Sequence, residues 1–158
     1  MKIFDEKFKH NKGKYISQCI ISTTFLMVIL LYVDIVLKAT IIFSIGATSF
    51  IVFTCPKKRS SSTRCILGGY IIGALTGYFC NLIQYFIPTF PFAVTGSIAI
   101  GLSIFLMVIL NAEHPPAAAF AIGMVIEKYS LVSVLLVIGI ASILLLIKKY
   151  MGNWFINL

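Results

Sequence analysis

The stretch that decides the fold is AVTGSIAIGLSIFLMVILNAEHPPAAAFAIGMVI, residues 93–126, in which a long apolar run precedes a short one. The long run continues to residue 112 and matches the roughly 20 helical residues that cross a bilayer core of about 30 Å. The short run, 115–126, has only twelve residues. At about 1.5 Å per residue it covers about 18 Å. Glu113 and His114 stand between the runs, so the stretch predicts two unequal membrane helices joined by a polar turn.

The composition of the whole chain agrees with a membrane protein. Of 158 residues, 59% are hydrophobic and 11% are charged, and the mean hydropathy is +1.02. A soluble domain carries about 25% charged residues. The hydrophobic content excludes a disordered chain, and four cysteines are too few for a small disulfide scaffold. We therefore expect an integral protein whose main partner is the lipid bilayer.

We count six apolar segments along the chain. They cover 15–37, 39–55, 65–87, 93–112, 115–126 and 130–147, and the second and fifth are short. The fold class predicted is an all-α membrane protein of about six hydrophobic helices, two of them half-length. Residues 1–14 form a basic tail, 15–147 a single transmembrane domain, and 148–158 a C-terminal tail.

The order long, short, long occurs twice, which predicts an internal repeat. Repeat one covers 15–87 and repeat two covers 93–147, and a shift of 70 residues places 46–50 on 116–120. An odd number of helices per repeat gives the two halves opposite orientations, as in many transporters. We therefore predict two inverted three-helix repeats.

The basic residues indicate the topology. If all six segments cross, eleven of the thirteen basic residues fall on the side of the N-terminal tail, the 56–64 loop and the C-terminus. The other side holds only Lys38 and Lys128. Short loops rich in Lys and Arg stay in the cytoplasm, so both termini are predicted to be cytoplasmic, in a bacterial inner membrane. A four-span alternative, with re-entrant short segments, places the 56–64 loop opposite the tail. Topology explains these charges, so no nucleic-acid partner is expected.

The short segments are the predicted binding site. Short hydrophobic segments at matching positions of two halves mark binding sites in transporters. A helix N-terminus offers partial positive charge and N–H donors to anions, and proline suits its first turn. Two such ends facing each other predict a site for one small anion, whereas the alternative is a Pro-Pro that merely starts a helix at the membrane edge. The candidates are His114-Pro115-Pro116-Ala117-Ala118 and Gly46-Ala47-Thr48-Ser49, because we interpret the second short helix as beginning near Ser44-Ile45-Gly46-Ala47-Thr48-Ser49.

Four polar residues are candidates for binding or proton coupling. His114 can carry a proton or donate to an anion, and ionisable groups at membrane depth are usually functional. Glu113 can share that proton or stabilise a helix start. Asn111 is a neutral donor nearby. Asp34 is a coupling candidate, or it pairs with Lys38 at i,i+4 on a solvated helix end.

Gly69, Gly73 and Gly77 form two overlapping G-x-x-x-G motifs, which allow helices to approach closely. Asn81 and Gln84 continue this face, which must turn away from lipid. The face can pack within one chain or between chains, so a homo-oligomer is one possibility. The four cysteines lack metal-ligand spacing, and neither a metal nor a cofactor is expected.

Residues Asn111-Ala112-Glu113-His114-Pro115-Pro116-Ala117-Ala118-Ala119 resemble the signature of the HPP family of small membrane proteins. Residues 45–50 resemble the Gly-Ala-Ser/Thr run of that family, and Arg64 with Gly68-Gly69 resembles its entry into the next helix. The resemblance covers roughly 20–147. It implies a transmembrane protein, often described with four spans, and its plastid members are implicated in nitrite transport. This chain departs from many relatives in having no hydroxyl residue within 117–119.

By this resemblance the chain is expected to be a transporter or channel for a small inorganic anion such as nitrite. One alternative is a non-transporting membrane subunit that binds a partner through the glycine face. Another is a membrane enzyme that uses Glu113 and His114 as acid and base. No nucleophile–base constellation supports an enzyme, so none is expected.

Overall fold

The computed structural model describes residues 6–33, 39–152 and 154–158, and the regular structure in those ranges is helical. The helices are α1 (Glu6–Val33), α2 (Ala39–Thr54), α3 (Thr63–Phe86), α4 (Phe92–Ile109), α5 (Pro115–Ile126) and α6 (Leu131–Met151), with a 3-10 turn at Arg59–Ser61. The predicted all-α membrane class, with two short helices among six, is confirmed within these ranges. Among the described residues, α3, α4 and α6 are long and apolar enough to cross a membrane.

The helix bounds follow from local signals in the sequence. The Ser62 hydroxyl accepts the Cys65 N–H at 3.3 Å and caps α3, and the Ser130 hydroxyl caps α6 in the same way. Such caps satisfy N–H groups that lack an intrahelical partner. Asn111 and Lys128 have φ of 54° and 59°, so the helices before them stop. The predicted bounds of α5, 115–126, are confirmed, whereas α4 stops short of residue 112.

Two helices extend further than predicted. α1 begins at Glu6 and not near Tyr15, so part of the predicted basic tail is helical, with a kink at Asn11. α6 continues past residue 147 through Lys148 and Lys149. Cations in the last turn interact favourably with the negative end of the helix dipole, which explains why α6 continues there.

The predicted helix start near Gly46, Ala47, Thr48 and Ser49 is wrong. α2 already begins at Ala39, so these four residues lie about two turns inside the helix. Residues 39–45 contain neither proline nor glycine, and nothing in them interrupts the helix. The second short segment therefore presents side chains of its middle turns, and not a free N-terminus, to its neighbours.

The glycine face of α3 packs against α5 of the same chain. A Cβ placed on Gly73 would lie 2.5 Å from the carbonyl oxygen of Ala117, and one on Gly77 would lie 2.7 Å from Cβ of Met124. Beyond the glycines, Asn81 donates a hydrogen bond from its amide to the Met124 carbonyl. α5 therefore covers the glycine face. This contact argues against the alternative in which a partner protein binds through that face.

One end of the bundle collects the loop 55–62, the turn 110–114 and the end of α6, and we call it the basic end. The Arg59 guanidinium donates to Oδ1 of Asn111 at 2.7 Å, and Nζ of Lys148 donates to the Ser61 hydroxyl at 2.6 Å. These contacts join the loop to both the turn and α6. The basic end carries Lys57, Lys58, Arg59, Arg64, Lys148 and Lys149.

The first half of α1 lies at the basic end too. The Gln18 amide donates to the carbonyl of Phe53 at 2.6 Å and to that of Ile156 at 3.0 Å. Consecutive helices therefore alternate in direction, with α2, α4 and α6 ending at the basic end. The four-span alternative separates the 56–64 loop from the N-terminal tail and does not fit. Alternating directions are what two inverted triplets require, although the repeat itself stays a prediction, as does the cytoplasmic side.

Candidate functional site

Four polar side chains meet where α2, α3 and the start of α5 come together. They are Ser44 and Thr48 of α2, Tyr70 of α3, and His114, and we call them the hydroxyl–imidazole cluster. Each is at most 1% exposed. Polar groups buried in this way are costly unless they bond to one another. The cluster is therefore a place where the apolar packing of the bundle is interrupted.

Hydrogen bonds connect the cluster into a chain. The Thr48 hydroxyl oxygen lies 2.8 Å from Nε2 of His114 and 2.6 Å from the Tyr70 hydroxyl oxygen. The Tyr70 hydroxyl lies 3.0 Å from that of Ser44. The Ser44 hydroxyl donates to the Pro116 carbonyl at 2.9 Å, which ties α2 to the first turn of α5. Every member thus has a partner within hydrogen-bond distance.

The direction of these bonds follows from the partner of the second ring nitrogen. Nδ1 of His114 lies 3.0 Å from the Ser60 carbonyl oxygen, and a carbonyl only accepts, so Nδ1 carries a proton. In the neutral ring Nε2 is then an acceptor, and Thr48 donates to it. Tyr70 in turn donates to Thr48, because the Thr48 proton is already engaged. The single proton of Ser44 is then shared between the Tyr70 hydroxyl and the Pro116 carbonyl.

Local sequence features place each member of the cluster. Ser44 and Thr48 are four residues apart and project from the same face of α2. His114 is the N-cap of α5, with extended backbone angles of −139° and 93°, and two prolines follow it. Gly69 allows the imidazole to approach α3, since a Cβ there would lie 2.7 Å from Cβ of His114. The His-Pro-Pro sequence therefore holds the ring at the start of the short helix.

The turn around His114 has other contacts than predicted. Glu113 does not bond to His114 but lies 3.4 Å from Arg59, in an exposed ion pair. Asn111 accepts from the same Arg59 at 2.7 Å. Both residues belong to the basic end and hold the turn to the 55–62 loop. Asp34 lies outside the described residues.

The first turn of α5 offers less to an anion than predicted. Pro115 and Pro116 have no N–H, and the N–H of Ala117 donates to the His114 carbonyl at 2.9 Å. Ala117 is fully buried, and a Cβ added at Gly69 would lie 3.3 Å from its Cβ. Ala118 is also buried, with 9% exposure. The first turn therefore contributes packing and the position of His114, and side chains are the polar groups that surround it.

The four predicted site residues of α2 differ in burial and in hydrogen bonding. Thr48 lies in the cluster, whereas Ala47 is exposed and Gly46 is half-buried. Ser49 is fully buried, and its hydroxyl has no partner among the described residues. It lies about 100° around the helix from Thr48. Only one of the four predicted residues thus contacts His114.

Three contributors were not among the predicted site residues, and one of them, Ser44, was considered only as part of a helix start at 44–49. Tyr70 is the central hydroxyl of the cluster, and the Ser60 carbonyl anchors the imidazole from the 3-10 turn. The one signal for Tyr70 is its position next to Gly69, on the glycine-containing helix. A backbone carbonyl carries no sequence signal at all.

A cavity of about 430 Å³ lies between α4 and α5 and reaches His114. Glu113, partly exposed at the basic end, also lines it. The rest of the lining is apolar and consists of Ile104, Met107, Val108, Pro115 and Ala118. In the described ranges no three His, Cys, Asp or Glu side chains come together as they do around a metal ion.

Comparison with known proteins identifies the family. The chain matches no curated protein and no solved structure. It does match the family model described as HPP, transmembrane region, over residues 8–155, which includes α2 to α6, all but the first two residues of α1, and the His114 turn. The chain therefore belongs to the HPP family of transmembrane proteins.

Proposed function

We propose that this protein is a membrane transporter or channel for a small inorganic anion such as nitrite, which passes the hydroxyl–imidazole cluster. The observation that carries the proposal is a buried polar cluster where two short helices meet inside an apolar bundle. Short helices at membrane depth are where transporters build their sites. The proposed site lies between the middle of α2 and the start of α5, and not between two facing helix ends as the sequence predicted.

The chemistry of the cluster suits a weakly held anion. Its three hydroxyls bond mainly to one another and to carbonyls, and each can rotate to donate to an incoming anion. A hydrogen bond to an ion is about twice as strong as one between neutral groups. The cluster contains no carboxylate, so nothing in it repels an anion. It also contains no fixed cation, and conduction requires binding that is weak enough for release.

The basic end supports the delivery of anions to this cluster. Arg59 and Lys58 are exposed there, next to the turn that carries His114. Clustered positive charge raises the local anion concentration and the rate of association. The cavity beside His114 offers a route from Glu113 at the basic end to the imidazole. The mouth of the pathway is thus proposed to lie at that turn.

Proton coupling through His114 is part of the proposal. Nδ1 is engaged with the Ser60 carbonyl, so Nε2 is the nitrogen that can take up a proton. Thr48 would then accept from Nε2 and turn its own proton to the Ser44 carbonyl, which lies 3.1 Å away. A cation formed in this way strengthens the attraction for an anion. The hydroxyls can therefore change direction without moving any helix.

The test is anion flux into liposomes that contain the purified protein, with nitrite, nitrate, formate and chloride, with and without a pH gradient. Thr48→Val keeps the shape of the side chain and removes its hydroxyl, and Tyr70→Phe does the same for the ring. Each is expected to lower nitrite influx at least about tenfold, because a hydrogen bond to an ion contributes roughly 1.5–3 kcal/mol. His114→Ala and Pro116→Leu are expected to impair influx while the protein still inserts.

The matched control is Thr76→Val. Thr76 is 1% exposed, but among the described residues its hydroxyl bonds to carbonyls of its own helix alone, at 3.0 and 3.1 Å. Its removal is expected to leave the flux unchanged. Equal flux for the wild type, Thr48→Val and Tyr70→Phe would contradict the proposed site. Wild-type flux no higher than that of empty liposomes would instead favour a non-transporting subunit.

A further inference from the structure

A second cavity lies at the basic end, between the start of α3 and the end of α6. Its volume is about 640 Å³, within the range of roughly 300–1,000 Å³ that small-ligand sites occupy. It is separate from the hydroxyl–imidazole cluster, and no residue of the cluster lines it. We call it the lysine cavity, and its lining consists of Thr63, Leu67, Ser142, Leu145, Leu146, Lys148, Lys149 and Gly152.

The residues described around the lysine cavity do not neutralise its positive charge. Lys148 donates from Nζ to the hydroxyl and the carbonyl of Ser61, which are both neutral groups. Lys149 is exposed, and within the described residues it has no ion-pair partner. None of the residues that line the cavity is acidic. Among the described residues, therefore, no counter-charge accompanies the two ammonium groups at its mouth.

The opposite part of the lysine cavity is apolar. Leu67 of α3 and Leu145 and Leu146 of α6 form its walls. From Lys149 to Ser142 the helix rises by about 10 Å, at about 1.5 Å per residue. The cavity therefore extends from the charged end of α6 along the part of this helix that is apolar enough to cross a membrane. A ligand that fills it needs an anionic group at one end and hydrocarbon at the other.

We propose that the lysine cavity binds an anionic phospholipid, with its phosphate between Lys148 and Lys149 and the upper part of an acyl chain along Leu145 and Leu146. Basic pockets between transmembrane helices recognise anionic headgroups through charge at the bilayer surface. Lysine stems can lie along apolar surface while the ammonium groups reach the headgroup level. A free anion would satisfy the lysines only and leave the apolar walls unused.

The experiment titrates the purified full-length protein in detergent with phosphatidylglycerol, phosphatidylcholine or sn-glycerol 3-phosphate, and counts bound molecules by native mass spectrometry. The wild type is expected to bind one phosphatidylglycerol about 25-fold more tightly than phosphatidylcholine, since each of the two lysines near an anionic lipid contributes roughly a fivefold gain. sn-Glycerol 3-phosphate, which lacks acyl chains, is expected not to compete.

Lys148→Gln with Lys149→Gln is expected to remove the preference for phosphatidylglycerol. Lys149→Gln alone leaves the Lys148–Ser61 contact intact, so the fold is preserved. This variant should lower the logarithm of the preference for phosphatidylglycerol over phosphatidylcholine by about half. The matched control is Lys57→Gln with Lys58→Gln, which removes the same charge from exposed residues outside the cavity. This control should retain the preference of the wild type.

Three results would overturn the proposal. Equal affinity of the wild type for phosphatidylglycerol and phosphatidylcholine would show that the lysines do not select the headgroup. An equal loss in the Lys57/Lys58 control would show a general effect of surface charge. Competition by sn-glycerol 3-phosphate at the concentration of the lipid would assign the cavity to a free anion.

Discussion

Replacing Gly73 by alanine tests the close contact between α3 and α5 on which the site depends. The new Cβ would lie 2.5 Å from the carbonyl oxygen of Ala117 and 3.4 Å from its carbonyl carbon. Real Cβ atoms do not approach other atoms within 3.0 Å, and here the obstacle is backbone, which cannot rotate away. The two helices must separate by about half an ångström or more. Overpacking of this kind costs roughly 1–3 kcal/mol.

Alanine also has a higher helix propensity than glycine, by about 1 kcal/mol. We therefore expect a net destabilisation of up to about 2 kcal/mol for Gly73→Ala, which leaves it about 1–3 kcal/mol less stable than a variant that gains only the helix propensity. The matched controls are Gly101→Ala in α4 and Gly139→Ala in α6, where a Cβ would meet nothing within 4 Å. These variants should be neutral or more stable than the wild type by up to about 1 kcal/mol.

The assay is unfolding of the purified variants in detergent, followed by circular dichroism, with nitrite influx measured in parallel. Gly73→Ala should unfold at a lower denaturant concentration and lose influx, because α5 carries His114 at its start. Both control variants should retain influx. A Gly73→Ala protein as stable as Gly101→Ala would refute the reasoning, since α3 and α5 would then not be in backbone contact.

Two further predictions concern the basic end. Phe155 is 1% exposed and packs edge-on against Phe53 at 5.5 Å, so Phe155→Ala should cost roughly 3–5 kcal/mol of unfolding free energy. Tyr150→Ala, at a residue with 85% exposure, should be close to neutral in the same denaturation assay. The Arg59–Glu113 pair is 3.4 Å apart and exposed, and a double-mutant cycle should give a coupling of about 0–1 kcal/mol that decreases with added salt. A coupling that is larger and independent of salt would contradict this picture.

The helix count and the shortest helix could be predicted from the sequence alone. Apolar runs show where backbone can lie in lipid. Charged residues separate these runs except between α3 and α4, where 65–112 contains no charge and Pro88 and Pro91 lie between the helices. The bounds of α5 follow from Pro115 at its start and from the polar residues after Ile126. The start of α2 at Ala39 also matched the apolar segment, and only the further interpretation of 44–49 as a helix start failed. That interpretation relied on small residues, which favour close packing as readily as a helix end.

The composition of the site could be predicted only in part. His114 and Thr48 were candidates on local grounds, as a histidine at membrane depth and a hydroxyl in a short segment. Their contact joins residues that are 66 positions apart, and it depends on how α2 crosses the start of α5. Tyr70 reaches them because Gly69 brings α3 close to His114. No local sequence pattern indicates that α2 crosses the start of α5 or that α3 lies close to His114.

By itself, the sequence determined that this chain is a helical membrane protein, which end carries the positive charge, and that the short helix begins with His114-Pro115-Pro116. These properties depend on residue type and order, because hydropathy and proline act locally. Only the tertiary structure decided which groups face the imidazole. The three glycines of α3 let two backbones meet, and that contact places Tyr70, Thr48 and His114 within one hydrogen-bonded chain. Such proximity depends on how the helices pack against one another, and the order of residues along one helix does not specify that packing.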